Sequence, residues 1–228
     1  MKAMILAAGR GERMRPLTDR VPKALVSAGG KPLLAWLLER LAGAGFREVV
    51  INVSHLGAQI EAQLGHGAAF GLAIAYSREA EPLESAGGLA KARSLLGSAP
   101  FVLVNADVYC DFDLRGLRAR SLGKCLAHLV LAPNPAHHPG GDFSLEAGFA
   151  GNAPAPRYTY TGIALVDPEL FTPVRAGDKA PLAPLLRAAA DARRLSAEIY
   201  HGLWLDVGTA QRLDELDALL RARMKAGT

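Results

Sequence analysis

Cysteine is scarce in this chain of 228 residues: Cys110 and Cys125 are the only two. They form no C-x-x-C pair and match no histidine pattern, so neither a disulfide framework nor a zinc site is expected, only two reduced thiols. Aromatic residues make up 6% of the chain and are not interleaved with basic ones, which argues against a surface that stacks and neutralises a nucleic acid. Charge of one sign is lacking too, with 26 Lys and Arg against 22 Asp and Glu. Residues 1–8 are apolar but too few for a membrane span or a signal peptide. A cytoplasmic protein with neither nucleic-acid nor membrane partners is expected. Its oligomeric state cannot be read from the pattern. No period of 20 to 50 residues recurs, so repeat architectures are excluded.

Half of the residues are apolar, enough for one large core, and a single domain over 1–228 is expected. Short apolar runs alternate with helical spacings. "EVVINVSH", "LAIAYS" and "PFVLVNAD" read as buried strands, whereas Leu34, Leu37, Leu38 and Leu41 fall on one helical face that Gly43 or Gly45 ends. That alternation predicts an α/β fold, Rossmann-like, with a mostly parallel mixed sheet and helices on both faces. Residues 133–157 change to a Pro-, Gly- and Ala-rich composition and are expected to form a ligand-covering excursion reaching about residue 160. Thr209 is expected to cap a terminal helix, and Asp113 to start another. In such sheets ligands sit at the carboxyl ends of strands, which directs attention to the first loop, to Ser54 and His55, and to Asp107.

The densest stretch is 6–25, "LAAGRGERMRPLTDRVPKAL". Gly9 and Gly11 let the backbone turn tightly and offer N–H groups to an anion, while Arg10, Arg13, Arg15 and Lys23 add positive charge. A dinucleotide turn fits poorly, because its third glycine would fall on Met14. The pattern "LAAGxGxRxxPxTxxxPK" resembles the signature of the sugar-1-phosphate nucleotidyltransferases, which join a nucleoside triphosphate to a sugar 1-phosphate and release pyrophosphate.

The resemblance implies roles for particular residues. Arg13 is expected against the β- and γ-phosphates, and Lys23 against the α-phosphate and the attacking oxygens. Arg10, Arg15 and Arg20 are weaker candidates. Two anions must meet, so the site needs further cations, and Asp107 in "VLVNADVYCD" and Asp206 in "LWLDVGT" are expected to share Mg²⁺ at strand ends. Arg13, Lys23, Asp107 and Asp206 form the expected catalytic set. The nucleophile is an ionised phosphate oxygen, so no general base is required. The nucleotide is expected on Ala8, Gly9, Gly11 and Glu12, facing Glu81, Gly87 and Gly88 of "EPLESAGG", where Ser85 would also cap a helix. The sugar phosphate is expected on Asn105, Gly141, Asp142 and Gly162, beneath the excursion acting as a lid.

The paired histidines of "HHPGGDF" are not expected to hold a metal, since adjacent residues rarely face one ion. The acid-lysine-proline stretch found in many relatives is replaced by "AGNAPAP". Within the family, "GRGERMRPLT", "EPLESAGG", "HHPGGDF" and "LWLDVGT" are most similar to the uridylyltransferases of N-acetylmuramic acid α-1-phosphate, implying UTP as donor and a role in cell-wall sugar recycling. Other short nucleotidyltransferases and a non-catalytic nucleotide-sugar sensor are the alternatives.

Overall fold

The computed structural model describes residues 1–226. The chain opens with β1 (Ala3–Leu6), the loop noted above, and a hairpin of β2 (Ser27–Ala28) and β3 (Lys31–Pro32). It continues through α1 (Leu33–Gly43), β4 (Glu48–Val53), α2 (Gly57–Leu64), β5 (Ala73–Arg78), α3 (Glu84–Lys91), α4 (Arg93–Leu96), β6 (Phe101–Asn105), β7 (Val108–Cys110), α5 (Leu114–Ala119) and β8 (Ala127–Ala132). The remaining elements are β9 (Ser144–Glu146), β10 (Phe149–Gly151), β11 (Thr159–Val166), α6 (Ala183–Asp191), β12 (Leu195–Ile199), β13 (Trp204–Asp206) and α7 (Ala210–Ala226).

Nine strands form one sheet in the order β5-β4-β1-β6-β11-β8-β12-β10-β9. The first four are mutually parallel, β11 runs against β6 and β8, and β12 is parallel to β8. Both faces are buried, which explains the unbroken apolar runs. Ile5, Val104 and Leu165 point to the face covered by α1, α2 and α5. Met4, Leu103 and Ala164 point to the face covered by α3, α4 and α6. Helix α1 presents Leu33, Leu34, Leu37, Leu38 and Leu41, all buried, and closes with Gly45 N–H on the Ala42 carbonyl and Phe46 N–H on that of Leu41. Among the described residues no helix is long and apolar enough to cross a membrane.

Two local expectations need correction. Residues 133–157 are not wholly a covering loop: β9 and β10 pair with each other, and β10 pairs with β12, extending the sheet at its edge. Strands of three residues carry too little alternation to be read. Ser85 does not cap its own helix, because α3 already begins at Glu84; the Ser85 hydroxyl instead accepts a hydrogen bond from Leu182 N at the start of α6. Thr209 does cap α7, accepting from Arg212 N at 3.3 Å, and Asp113 caps α5.

His128 on β8 is buried between Ser196 (2.9 Å from Nδ1) and Glu198 (3.0 Å from Nε2). Burial pushes its imidazole below the usual value of 6.5, opposed by the Glu198 hydrogen bond. The unfolded chain therefore takes up the proton first. Stability is complete above the unfolded value and declines as pH falls through 6.5 toward the folded value. In His128→Gln the fall of Tm over that window should be shallower than in the wild type; an unchanged slope would contradict the assignment.

Candidate active site

The carboxyl ends of β1, β4 and β6 share one edge of the sheet, and a cleft of about 720 Å³ opens there. The loop after β1 is shaped by what it buries. Met14 plunges into the cluster beneath α7, so its neighbours Glu12 and Arg13 face outward. Ala24 and Leu25 are likewise buried, which leaves Lys23 turned to the cleft. Gly11 makes the sharp reversal at φ 65°, and a Cβ there would come 2.9 Å from Thr18 Cγ2. The Thr18 hydroxyl donates to the Gly11 carbonyl and locks the turn.

The loop is also tied from below. Asn52 on β4 accepts from Ala7 N at 2.7 Å and donates to Glu79 Oε1 at 2.7 Å; Glu79 Oε2 accepts from Leu83 N. Asn52 and Glu79 are both buried, and their atoms are mutually satisfied. This network joins the first loop to the segment 81–88 on the opposite wall.

Asp107 and Asp206 are brought together by backbone pairing. Strands β7 and β13 form an antiparallel ladder in which Asp206 lies opposite Val108, and Val207 N donates to the Asp107 carbonyl at 2.7 Å. Each carboxylate already faces a cation. Lys23 Nζ pairs with Asp107 Oδ2, and Arg212 Nη1 lies 2.5 Å from Asp206 Oδ1.

A second hollow of about 300 Å³ shares Arg13, Asn105 and Asp107 with the first and continues over Thr159–Gly162, Trp204, His137 and His138. Gly162 shapes it. The register of β11 shifts there, Gly162 has φ 80°, and a Cβ would come 2.7 Å from Asn105 Nδ2. The bulge is held by Trp204 Nε1–H on the Thr161 carbonyl at 2.9 Å. Gly162→Ala should lower stability by roughly 1–3 kcal/mol, from a left-handed Ala and a displaced Asn105, read as a fall in Tm. A wild-type Tm would contradict this reading of the bulge.

Of the residues expected from sequence, Ala8, Gly9, Gly11, Glu12, Arg13, Lys23, Glu81, Asn105 and Asp107 line the larger cleft, and Gly162 and Asp206 line the smaller. Arg10 also lines the cleft, whereas Arg15 pairs with Asp19. Gly87 and Gly88 do not line it. They sit in α3 where a Cβ would strike the Asp178 carbonyl or the Asn52–Glu79 pair, so their smallness serves packing behind the wall. Gly141 and Asp142 also stand back from the hollow: Asp142 accepts from Tyr160 N at 2.8 Å and lies 3.1 Å from His138, while Gly141 fits against Asn134. His137 and His138 face different partners, Asp206 and Asp142. His55 lies 3.4 Å from the Thr18 carbonyl.

Sequence reasoning did not single out Asn52, Glu79, Lys179 or Arg212, and it reached His137 and Trp204 only within the motifs "HHPGGDF" and "LWLDVGT". An Asn inside the otherwise apolar β4 run was an available signal.

Residues 2–126 match the nucleotidyl transferase family model. The chain is 51% identical to the N-acetylmuramate alpha-1-phosphate uridylyltransferase of Neisseria meningitidis serogroup B over 97% of its own length and 99% of that protein. The chain belongs to the nucleotidyl transferase family. It is also 44% identical to the mannose-1-phosphate guanylyltransferase catalytic subunit beta of Drosophila pseudoobscura, over 51% of this chain and 32% of that one. Solved structures share the fold of this nucleotidyl transferase. A Bacillus anthracis structure described as a glucose-1-phosphate thymidylyltransferase superposes with a TM-score of 0.86 at 21% identity, covering 97% of this chain and 95% of that one. HddC of Yersinia pseudotuberculosis superposes at 0.77 and 18% identity, covering 96% and 98%.

Proposed function

We propose that this nucleotidyl transferase moves the uridylyl group of UTP onto N-acetylmuramic acid α-1-phosphate, giving UDP-N-acetylmuramic acid and pyrophosphate, as a cytoplasmic step of cell-wall sugar recycling. The observation that supports the reaction is the pair of hollows meeting at Arg13, Asn105 and Asp107; each would take one substrate, with the reacting phosphates at the junction. The identity of base and sugar is supported by likeness to the Neisseria enzyme over nearly the whole of both chains.

The donor set fits Mg²⁺. One carboxylate, Asp206, ends β13 and the other, Asp107, immediately precedes its partner strand β7, and among the described residues no group of three or more His, Cys, Asp or Glu could enclose an ion. Such a site suits a hard cation that keeps water and phosphate oxygens as its other ligands, and suits zinc poorly. Asp107 and Asp206 would hold it, and when bound it neutralises charge on the transferring phosphoryl group.

The protein's own part is positioning and charge. Backbone N–H groups of the loop at Gly9 and Gly11 cradle the triphosphate, Arg13 faces the departing pyrophosphate, and Lys23 balances the α-phosphate and the incoming oxygen. Asn105, oriented by Gly162, faces the second hollow, where the sugar lies. With a phosphate oxygen as nucleophile, no side chain needs to remove a proton.

Incubation with UTP, N-acetylmuramic acid α-1-phosphate and Mg²⁺ should yield UDP-N-acetylmuramic acid by mass, with little product from N-acetylglucosamine 1-phosphate. Preferential turnover of another sugar phosphate would overturn the sugar assignment and leave the reaction class.

A further inference from the structure

Gly208 lies between two arginines that arrive from different parts of the chain. A Cβ built on it would overlap Arg212 Nη2 and come 2.8 Å from Arg13 Nη2. Arg13 reaches this point from the turn after β1, and Arg212 from the first turn of α7. Two permanent guanidinium charges are thus aimed at one spot at the edge of the cleft, where only the missing side chain of Gly208 leaves room.

The fixed end of Arg212 explains how it is held there. Its Nη1 lies 2.5 Å from Asp206 Oδ1 and 2.6 Å from His137 Nε2, and its Nε is 3.4 Å from Thr209 Oγ1. The guanidinium is donor-only, and Nη1 donates to Asp206 beside His137, whose Nε2 also lies 3.0 Å from Asp206 Oδ1. The side chain is only 11% exposed. Among the described residues, neither Arg212 Nη2 nor the Arg13 guanidinium donates a hydrogen bond to a protein acceptor. Like charges brought together with their donors unspent make a receptor for an anion that takes both.

We propose that Arg212 is a phosphate-contacting residue, forming with Arg13 a two-arginine clamp over Gly208 for the oxygens of a diphosphate-type anion. The clamp rests on the proposed phosphoryl chemistry and not on the identity of the sugar. Arg212 then has two tasks through its two nitrogens: Nη1 steadies Asp206, and Nη2 meets the anion. Gly208 is side-chain-free so that both arginines reach the same oxygens.

The test separates these tasks by measuring binding of inorganic pyrophosphate by calorimetry in EDTA, where no divalent metal contributes. Arg212→Leu should weaken pyrophosphate binding about tenfold or more, the scale of a lost charge-assisted hydrogen bond. Arg212→Lys should recover part of it, and Gly208→Ala, which keeps both arginines in the chain but pushes their guanidiniums aside, should weaken it comparably. Thermal melting of each variant verifies folding. Pyrophosphate affinity at the wild-type level in both folded Arg212→Leu and folded Gly208→Ala would overturn the clamp and leave Arg212 as a support for Asp206 alone. Loss of affinity in these variants, in a wild type that makes no UDP-N-acetylmuramic acid, would retain the clamp and refute the sugar assignment.

Discussion

Asp107→Asn should lower turnover on the order of a thousandfold while the protein stays folded. In the proposed site the carboxylate would supply charge to a divalent cation, and losing a ligand that contributes several kcal/mol of charge stabilisation at the transition state has an effect of this size. The geometry also sets the side effect on stability. Lys23, whose side chain is only 13% exposed, has Asp107 as its ion-pair partner, so removing the charge leaves a mostly buried ammonium less well balanced. The Asn carbonyl still accepts a hydrogen bond from Nζ, which limits destabilisation to roughly 1–2 kcal/mol. Steady-state rates at saturating Mg²⁺ and a urea titration read the two effects separately. Turnover within a fewfold of wild type would remove Asp107 from the metal site.

Lys23→Ala should reduce kcat on the order of a hundredfold with a smaller change in UTP binding. Its ammonium sits beside Asp107, which lines both hollows; in the proposed reaction that is where charge would move during transfer. The variant offers a second readout. Without Lys23, Asp107 loses its ion-pair partner, so the Mg²⁺ concentration for half-maximal rate should stay the same or fall. A rise in KM for UTP with kcat intact would place Lys23 in ground-state binding only, and a marked rise in the Mg²⁺ requirement would mean that Lys23 organises the metal site.

How much of this was legible in the sequence depended on whether the signal was local. The alternation of strands and helices, the buried leucines of α1 and the glycine loop are local patterns, and each appears as expected because period and turn chemistry act over a few residues. Asp107 and Asp206 could each be placed at a strand end, but their meeting depends on the β7–β13 ladder between segments almost a hundred residues apart.

What was not legible has the same origin. Gly87 and Gly88 are crowded by partners outside their helix, the Asp178 carbonyl and the Asn52–Glu79 pair, and of these Asp178 and Asn52 lie far away in sequence. The β9–β10 hairpin escaped notice because its strands are three residues long. Arg212 is one of several charges on α7, and nothing nearby in the sequence signals that it turns inward to Asp206.

The most direct test of the account is pyrophosphate release, measured with Mg²⁺ for the wild type and Asp107→Asn, across UTP, dTTP, CTP and GTP against N-acetylmuramic acid, N-acetylglucosamine, glucose and mannose 1-phosphates. The account predicts strong release from UTP with the muramic sugar in the wild type and almost none in the variant. Nucleotide binding without pyrophosphate release from any pair, or equal release by the variant, would contradict it.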